Sequence, residues 1–162
     1  MLRLVKKYSE LNFSALMEVY AEGNRENGAE QYPHLSEYEQ LFRAEQDFGD
    51  YLRHDFFKTE GAYYALWEEN GAYLSALRIE PYGDGVLLEA LETRLDCRRQ
   101  GYATRLLEAV LSVETRKIYS HVSKKNTPSL RTHEKCGFRK ILDHAVYIDG
   151  SVSANAVTLC RI

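Results

Sequence analysis

The stretch Arg98, Arg99, Gln100, Gly101, Tyr102, Ala103 and Thr104 has the residue types of an anion cradle. Gly101 and the small Ala103 let the backbone curl closely around a ligand. The helix expected over Ala103 to Leu111 turns unpaired amide N–H groups and the positive end of its dipole toward the same point. Cys97, beside the arginines, reads either as a thiol made reactive by their charge or as a small packed side chain, the commoner case. With Cys136 and Cys160 it makes three cysteines and no Cys-x-x-Cys pair, so neither a disulfide framework nor a metal site is indicated.

Periodicity supplies the elements that must position this loop. Residues 2–6 alternate as a short opening strand, and Ser9 caps a helix carrying Leu11, Ala15, Leu16 and Val19, which Gly23, Asn24, Asn27 and Gly28 end. Ser36 opens a second, acidic and aromatic helical segment that runs through Leu52. Ala62 to Trp67 and Ala72 to Ile79 read as strands joined at Asn70 and Gly71, a pair that tolerates the positive φ of a type I′ hairpin. Pro81, Gly83, Asp84 and Gly85 turn the chain into a third strand, Val86 to Leu95, which leads into the loop.

Beyond the loop, Ala103, Leu106, Leu107, Val110 and Leu111 make an apolar stripe that must lie on a sheet. Ile118 to Val122 is a buried strand, parallel to the one before the loop because a helix connects them. Asn126 or Thr127 caps a further helix, Pro128 sits near its first position, and Gly137 with Phe138 stops it. Phe138 to Ile148 and Val152 to Ile162 close the chain as a hairpin around Asp149 and Gly150.

A chain of 162 residues, 44% of them hydrophobic, supports one well-buried core, so a single domain over 1–162 is expected. No apolar run is long enough to cross a bilayer and the amino terminus lacks a signal-peptide core, which points to a cytoplasmic protein without membrane partners. The net charge of −3 argues against nucleic-acid binding, but it averages two unlike halves. Residues 18–60 hold 11 acids and four bases, whereas residues 94–140 hold 12 bases and four acids. The basic half suits a polyanion; the acidic half suits a cationic partner or is simply a solvated helix face.

The R-x-x-G-x-A pattern of Arg98, Gly101 and Ala103, between a strand and a helix, resembles the acyl-CoA pyrophosphate loop of the GNAT superfamily of N-acetyltransferases. A second segment, from Asn126 to Phe138, is similar to the family's N-x-x-S/A-x-x-x-Y-x-x-x-G-F, matched at Asn126, Ser129, Gly137 and Phe138. The order of elements agrees over nearly the full length. The resemblance implies an α/β (α+β) fold: one mixed, mostly antiparallel sheet of about six to seven strands, helices on both faces, and a splay between the two central strands. It implies acetyl transfer from acetyl-CoA to a primary amine, which is a small amine, an amino acid or a peptide, by direct attack in a ternary complex. An acyl-CoA-binding regulatory module is the alternative. Nucleotide binding is weaker, since no G-K-[ST] or G-x-G-x-x-G is present.

By the same resemblance, the amides of Arg99, Gln100, Gly101, Tyr102, Ala103 and Thr104 hold pyrophosphate, with Arg98 opening the loop. Leu91 and Thr93 pair with the pantetheine arm, Asn126 touches it from the other side, and a backbone N–H near Glu92 or Thr93 polarises the carbonyl. His133 stands where the family carries a tyrosine that assists the departing sulfur. An imidazole can do so with an ordinary pKa of about 6.5 against about 10 for tyrosine. His121, Glu92 and, less favoured, Glu89 are the candidate bases; alternation sends the two glutamates to opposite sheet faces unless a bulge intervenes. Tyr63, Tyr64, Trp67, Tyr73 and Tyr82 either line an acceptor pocket or, more commonly for strand aromatics, fill the core. Symmetry base rates alone suggest a homodimer.

Overall fold

Asn70 (φ 51°) and Gly71 (φ 79°) make the expected tight turn, and it joins β2 (Tyr63–Glu69) to β3 (Ala72–Tyr82). In the computed structural model, which describes residues 1–162, this hairpin is the start of a seven-stranded sheet. β1 (Leu2–Val5) pairs with β2 on one side, and β4 (Gly85–Thr93) pairs with β3 on the other. Past β4 the order continues through β5 (Ile118–Ser123), β9 (Ala156–Arg161) and β6 (Arg139–Leu142). Only β4 and β5 run parallel, because α4 (Tyr102–Val113) crosses over between them.

Strand alternation divides the core between the two faces. Leu77, Ile79, Val86, Leu88, Ile118, Val122 and Leu159 form one face with Leu106, Leu107 and Val110 of α4, each of these three fully buried and so stabilising by roughly 1.5–3 kcal/mol. On the other face Tyr64, Leu66 and Ala76 pack with α1 (Phe13–Val19) and with Leu52 of α3 (Glu37–His54). α5 (Thr127–Lys135) begins with Pro128 in its first turn and the Asn126 side chain accepting from the Ser129 amide. It ends in a Schellman motif, with the amide of Phe138 donating to the His133 carbonyl, that of Gly137 to Glu134, and Gly137 at φ 87°.

The amino-terminal helices correct the expected boundaries. Tyr8–Glu10 is a single 3-10 turn, and Asn12 rather than Ser9 caps α1 by accepting from the Ala15 amide. Gly23, Asn24, Asn27 and Gly28 do not stop the helical path; they lie inside α2 (Ala21–Gln31). Gly28 is there for tertiary packing, since a Cβ on it would lie 2.4 Å from the carbonyl oxygen of Gln40 in α3. Ser36 caps α3 as expected, in a capping box with Glu39. The closing hairpin is interrupted: β7 (Ala145–Val146) and β8 (Val152–Ser153) form a separate small ribbon, which leaves β9 free to lie between β5 and β6.

Gly28→Ala should therefore destabilise the protein by about 1–3 kcal/mol, because the methyl overlaps a backbone carbonyl that can move only with α3. Gly23→Ala, with open space around the added carbon, should be neutral or stabilising in the same denaturant titration.

Candidate active site

β4 and β5 pair only at Val86–Ile118, Leu87–Tyr119 and Leu88–Ser120. Beyond Leu88 the two strands separate, which leaves the edge of β4 from Glu89 to Thr93 open to a peptide-like chain. A cleft of about 700 Å³ occupies the mouth of this splay, bounded by Leu91, Glu92 and Thr93 on β4, by Asn126 and Ser129 at the start of α5, and by the loop before α4.

That loop leaves its amides without partners. Arg99 (φ 62°) and Gly101 (φ 81°) take left-handed conformations, and no amide from Arg98 to Thr104 donates within the chain; the first helical bond is Arg105 N–H to Gly101 O. Converging donors at the amino end of a twelve-residue helix favour an anionic ligand. Nothing lies within 4 Å of a Cβ added to Gly101, so the space beside it is open. Arg99 is exposed and free of ion pairs, while Gln100 points away and donates to the Asp96 carbonyl at 3.3 Å.

Arg98 has a different task. Its guanidinium reaches Glu92 at 3.0 Å and Glu22 of α2 at 3.3 Å, and its Nε donates to the Thr93 carbonyl at 3.2 Å. It clamps the loop to β4 and to α2. Arg94 likewise pairs with Glu18 and Asp96. The acids of residues 18–60 nearest the cleft thus face the loop arginines, and the charge division seen in the sequence closes locally into pairs. Cys97, at the back of the cleft, is buried with its thiol pKa pushed up by that burial, which suits the packed reading.

The candidate catalytic side chains occupy three environments. His133 is 1% exposed, with Nδ1 donating to the Ser129 carbonyl at 2.7 Å and Nε2 2.9 Å from the Ser120 hydroxyl. Its pKa is lowered by burial, and it does not line the cleft. His121 faces the opposite side of β5, edge-on to Tyr82 (5.6 Å) and Tyr147 (5.1 Å); its buried Nε2 has no partner and burial lowers its pKa. Glu92 borders the cleft with its pKa raised by burial and opposed by Arg98.

A bulge supplies what alternation alone excludes. Register slips between Ala76 and Arg78 of β3, where Ala90 of β4 takes φ 52°. Glu89 stands opposite Arg78 and Glu92 opposite Ala76, so both glutamates share one face. The Glu89 carboxyl has its pKa raised to about 8, first by burial and then by the neighbouring Glu80. Arg78, Glu80, Ala90 and Glu22 stand beside these candidate groups and have no local signature in the sequence. Arg78 and Glu80 alternate with Leu77 and Ile79 like any solvent-facing pair, and only the helices packed over them reveal their burial. Of the strand aromatics, Tyr63, Tyr64 and Tyr73 are core, and only Tyr82 stands beside a candidate catalytic group.

Residues 17–138 match the Acetyltransferase (GNAT) family, and the chain belongs to it. Among curated proteins none matches it in sequence. Its fold is similar to that of the PaiA N-acetyltransferase of Thermoplasma acidophilum in complex with coenzyme A, at 12% identity and TM-score 0.66, covering 99% of this chain and 98% of that one. A variant of the spermidine N-acetyltransferase SpeG of Vibrio cholerae aligns at 18% identity and TM-score 0.63 over 100% and 94% of the two chains. Escherichia coli ElaA aligns at 11% and 0.61 over 100% and 99%. No helix is long and apolar enough to cross a membrane.

His121 and His133 both have pKa values held below the ordinary value near 6.5 by burial. The unfolded chain therefore binds their protons more readily. Their contribution to stability is complete above about pH 6.5 and is lost as pH falls through the folded values. From about pH 7 to about pH 5 the native protein should therefore lose stability relative to His133→Gln in urea titrations, because Glu89, whose raised pKa acts in the opposite sense over the same range, is common to both proteins.

Proposed function

We propose that this protein transfers an acetyl group from acetyl-CoA to a primary amine by direct attack within a ternary complex. One observation carries the reading: the unpartnered amides from Arg98 to Thr104 and the open edge of β4 meet in one cleft. Acetyl-CoA, when bound, supplies an activated acyl carbon and a thiol leaving group of moderate pKa. The loop amides and Arg99 hold its pyrophosphate. The backbone at Leu91 and Thr93 pairs with its amide arm, and Asn126 contacts that arm through its Nδ2, because its Oδ1 already caps α5.

His121 is the preferred base. Its Nε2 is unpartnered, it lies on the splayed strand, and its lowered pKa leaves it neutral and able to accept a proton near pH 7. Glu92 holds Arg98 and with it the loop, a binding role with a secondary claim on the proton. His133, neutral and with both nitrogens engaged, braces α5 against β5 so that Asn126 and Ser129 face the cleft. The departing sulfur needs little help, since a thiol ionises at about 8.5. That buried imidazole also favours a second reading, a CoA-binding regulatory module without turnover.

Calorimetric titration with acetyl-CoA tests the proposal. The native protein should bind a single equivalent. Gly101→Ala should weaken binding only about fivefold through backbone strain at positive φ, whereas Gly101→Asp, which places a carboxylate against the pyrophosphate, should lose about a hundredfold or more. Absence of binding by the native protein refutes the reading. His121→Gln should lower kcat about 10²-fold and remove the acid limb of the rate profile, without weakening acetyl-CoA. Binding of acetyl-CoA with no turnover across a broad amine panel selects the regulatory module.

A further inference from the structure

On the face of the sheet opposite α4, the register sets Glu80 beside Leu87 and Tyr119, and Arg78 beside Glu89, with His121 the next residue on that face of β5. Glu80 is nine-tenths buried, with the Glu89 carboxyl as its neighbour on this face. Glu89 keeps an unpartnered buried Oε2, and its distance to Arg78 Nε is 3.7 Å, too long for a hydrogen bond. Arg78 itself is roofed by Phe48, Tyr51 and Phe56, whose ring centres lie 5.1–5.9 Å from its guanidinium. Its side chain is less exposed than that of Glu89, so an incoming ligand meets the Glu89 carboxyl before the cation, with Glu80 behind it. Tyr82, Tyr119 and Tyr147 wall the end of the face next to His121.

The titratable groups facing this point are Arg78, Glu80 and Tyr82 on β3, Glu89 and, paired with Arg98, Glu92 on β4, Tyr119 and His121 on β5, Tyr64 on β2, Tyr51 on α3 and Tyr20 at the end of α1. With the tyrosines and His121 neutral, one guanidinium balances one negative charge. The Glu89 carboxyl, its pKa raised to about 8 by burial and by the neighbouring Glu80, holds a proton at neutral pH. The cluster is then neutral. An added cation upsets that balance, and release of the Glu89 proton restores it.

We propose that Glu80 and Glu89, backed by Arg78, form the cation subsite of the acceptor: they take a second positive group carried by the amine substrate. The reading rests on the acetyl-transfer function above and names its substrate class, an amine with a further ammonium or guanidinium. It also places the attraction for cations on the sheet floor, not on the acidic helices, whose nearest carboxylates are paired with Arg94 and Arg98.

The test compares kcat/KM for butylamine, 1,4-diaminobutane and 4-aminobutanoate, which share a chain and differ at the far end. The native enzyme should favour the diamine over butylamine by about tenfold or more, and the ratio should grow as pH rises through about 8. Glu89→Gln and Glu80→Gln, each checked for a native Tm, should bring the ratio toward unity. Calorimetry of the diamine with the protein–CoA complex, in buffers of different ionisation enthalpy near pH 7, should report release of close to one proton, absent in Glu89→Gln. Equal rates for diamine and butylamine, a preference for 4-aminobutanoate, or a preference surviving both substitutions overturns the subsite. Turnover of none of the three by a protein that binds acetyl-CoA overturns it and leaves the CoA cleft standing. Failure to bind acetyl-CoA overturns the parent reading and the subsite together.

Discussion

β4 must be a paired strand on its β3 side and an open edge on its β5 side, and the bulge at Ala90 is where it becomes both. An alanine at φ 52° costs on the order of 1 kcal/mol or more, so something must hold it. The Tyr20 hydroxyl donates to the Ala90 carbonyl at 2.7 Å, Tyr64 donates to Tyr20, and Phe48 packs on the Tyr20 ring at 5.2 Å. The amino-terminal helices thereby fix the shape of a strand far away in sequence. Three consequences follow from one displaced residue: Glu89 and Glu92 share a face, the Glu92 carboxylate comes within reach of Arg98, and the pairing of β4 with β5 ends at Leu88.

The second organising effect is electrostatic and short-ranged. Segment totals suggested an acidic half facing one partner and a basic half facing another, but Glu18 and Glu22 turn onto Arg94 and Arg98. These partly exposed pairs contribute little to stability. Their effect is positional, since they tie the α1–α2 arm to the loop whose amides are left free. Arg99, which has no such partner, supplies the local positive field. A like-charged run in sequence therefore says less about a ligand than the few charges that remain unpaired once the chain has folded.

What was legible in the sequence was what is decided within a few residues. Asn70-Gly71, the Ser36 and Glu39 capping box, the Asn126 cap and the Gly137 stop act through their own backbone geometry, and each stands where the local rules place it. The glycine loop and the apolar stripe of α4 were readable for the same reason, and through them the splay. Gly28 misled because its small size serves contact with α3 and not a helix stop, and Ser9 because Asn12 offers the chain a better cap three residues on. Neither the Ala90 bulge nor the burial of Arg78 and Glu80 has a local signature: a positive-φ alanine is held by a distant tyrosine, and an alternating Arg-Ile-Glu looks solvent-facing until helices cover it.

That covered face explains why so polar a group of side chains is tolerated. A buried guanidinium with an unpartnered Nε, beside a carboxyl with an unpartnered Oε2, is a poor choice for stability alone, since apolar residues of similar size pack there at lower cost. The aromatic cage offsets part of the desolvation of Arg78 through its ring faces, and the proton that Glu89 holds at neutral pH removes one of two negative charges. What is left is a neutral cluster with unused hydrogen-bonding capacity, next to the one splayed edge in the sheet. On the subsite proposed above, a ligand that completes those bonds lowers that cost, which gives Arg78, Glu80 and Glu89 a role in binding that folding alone does not require.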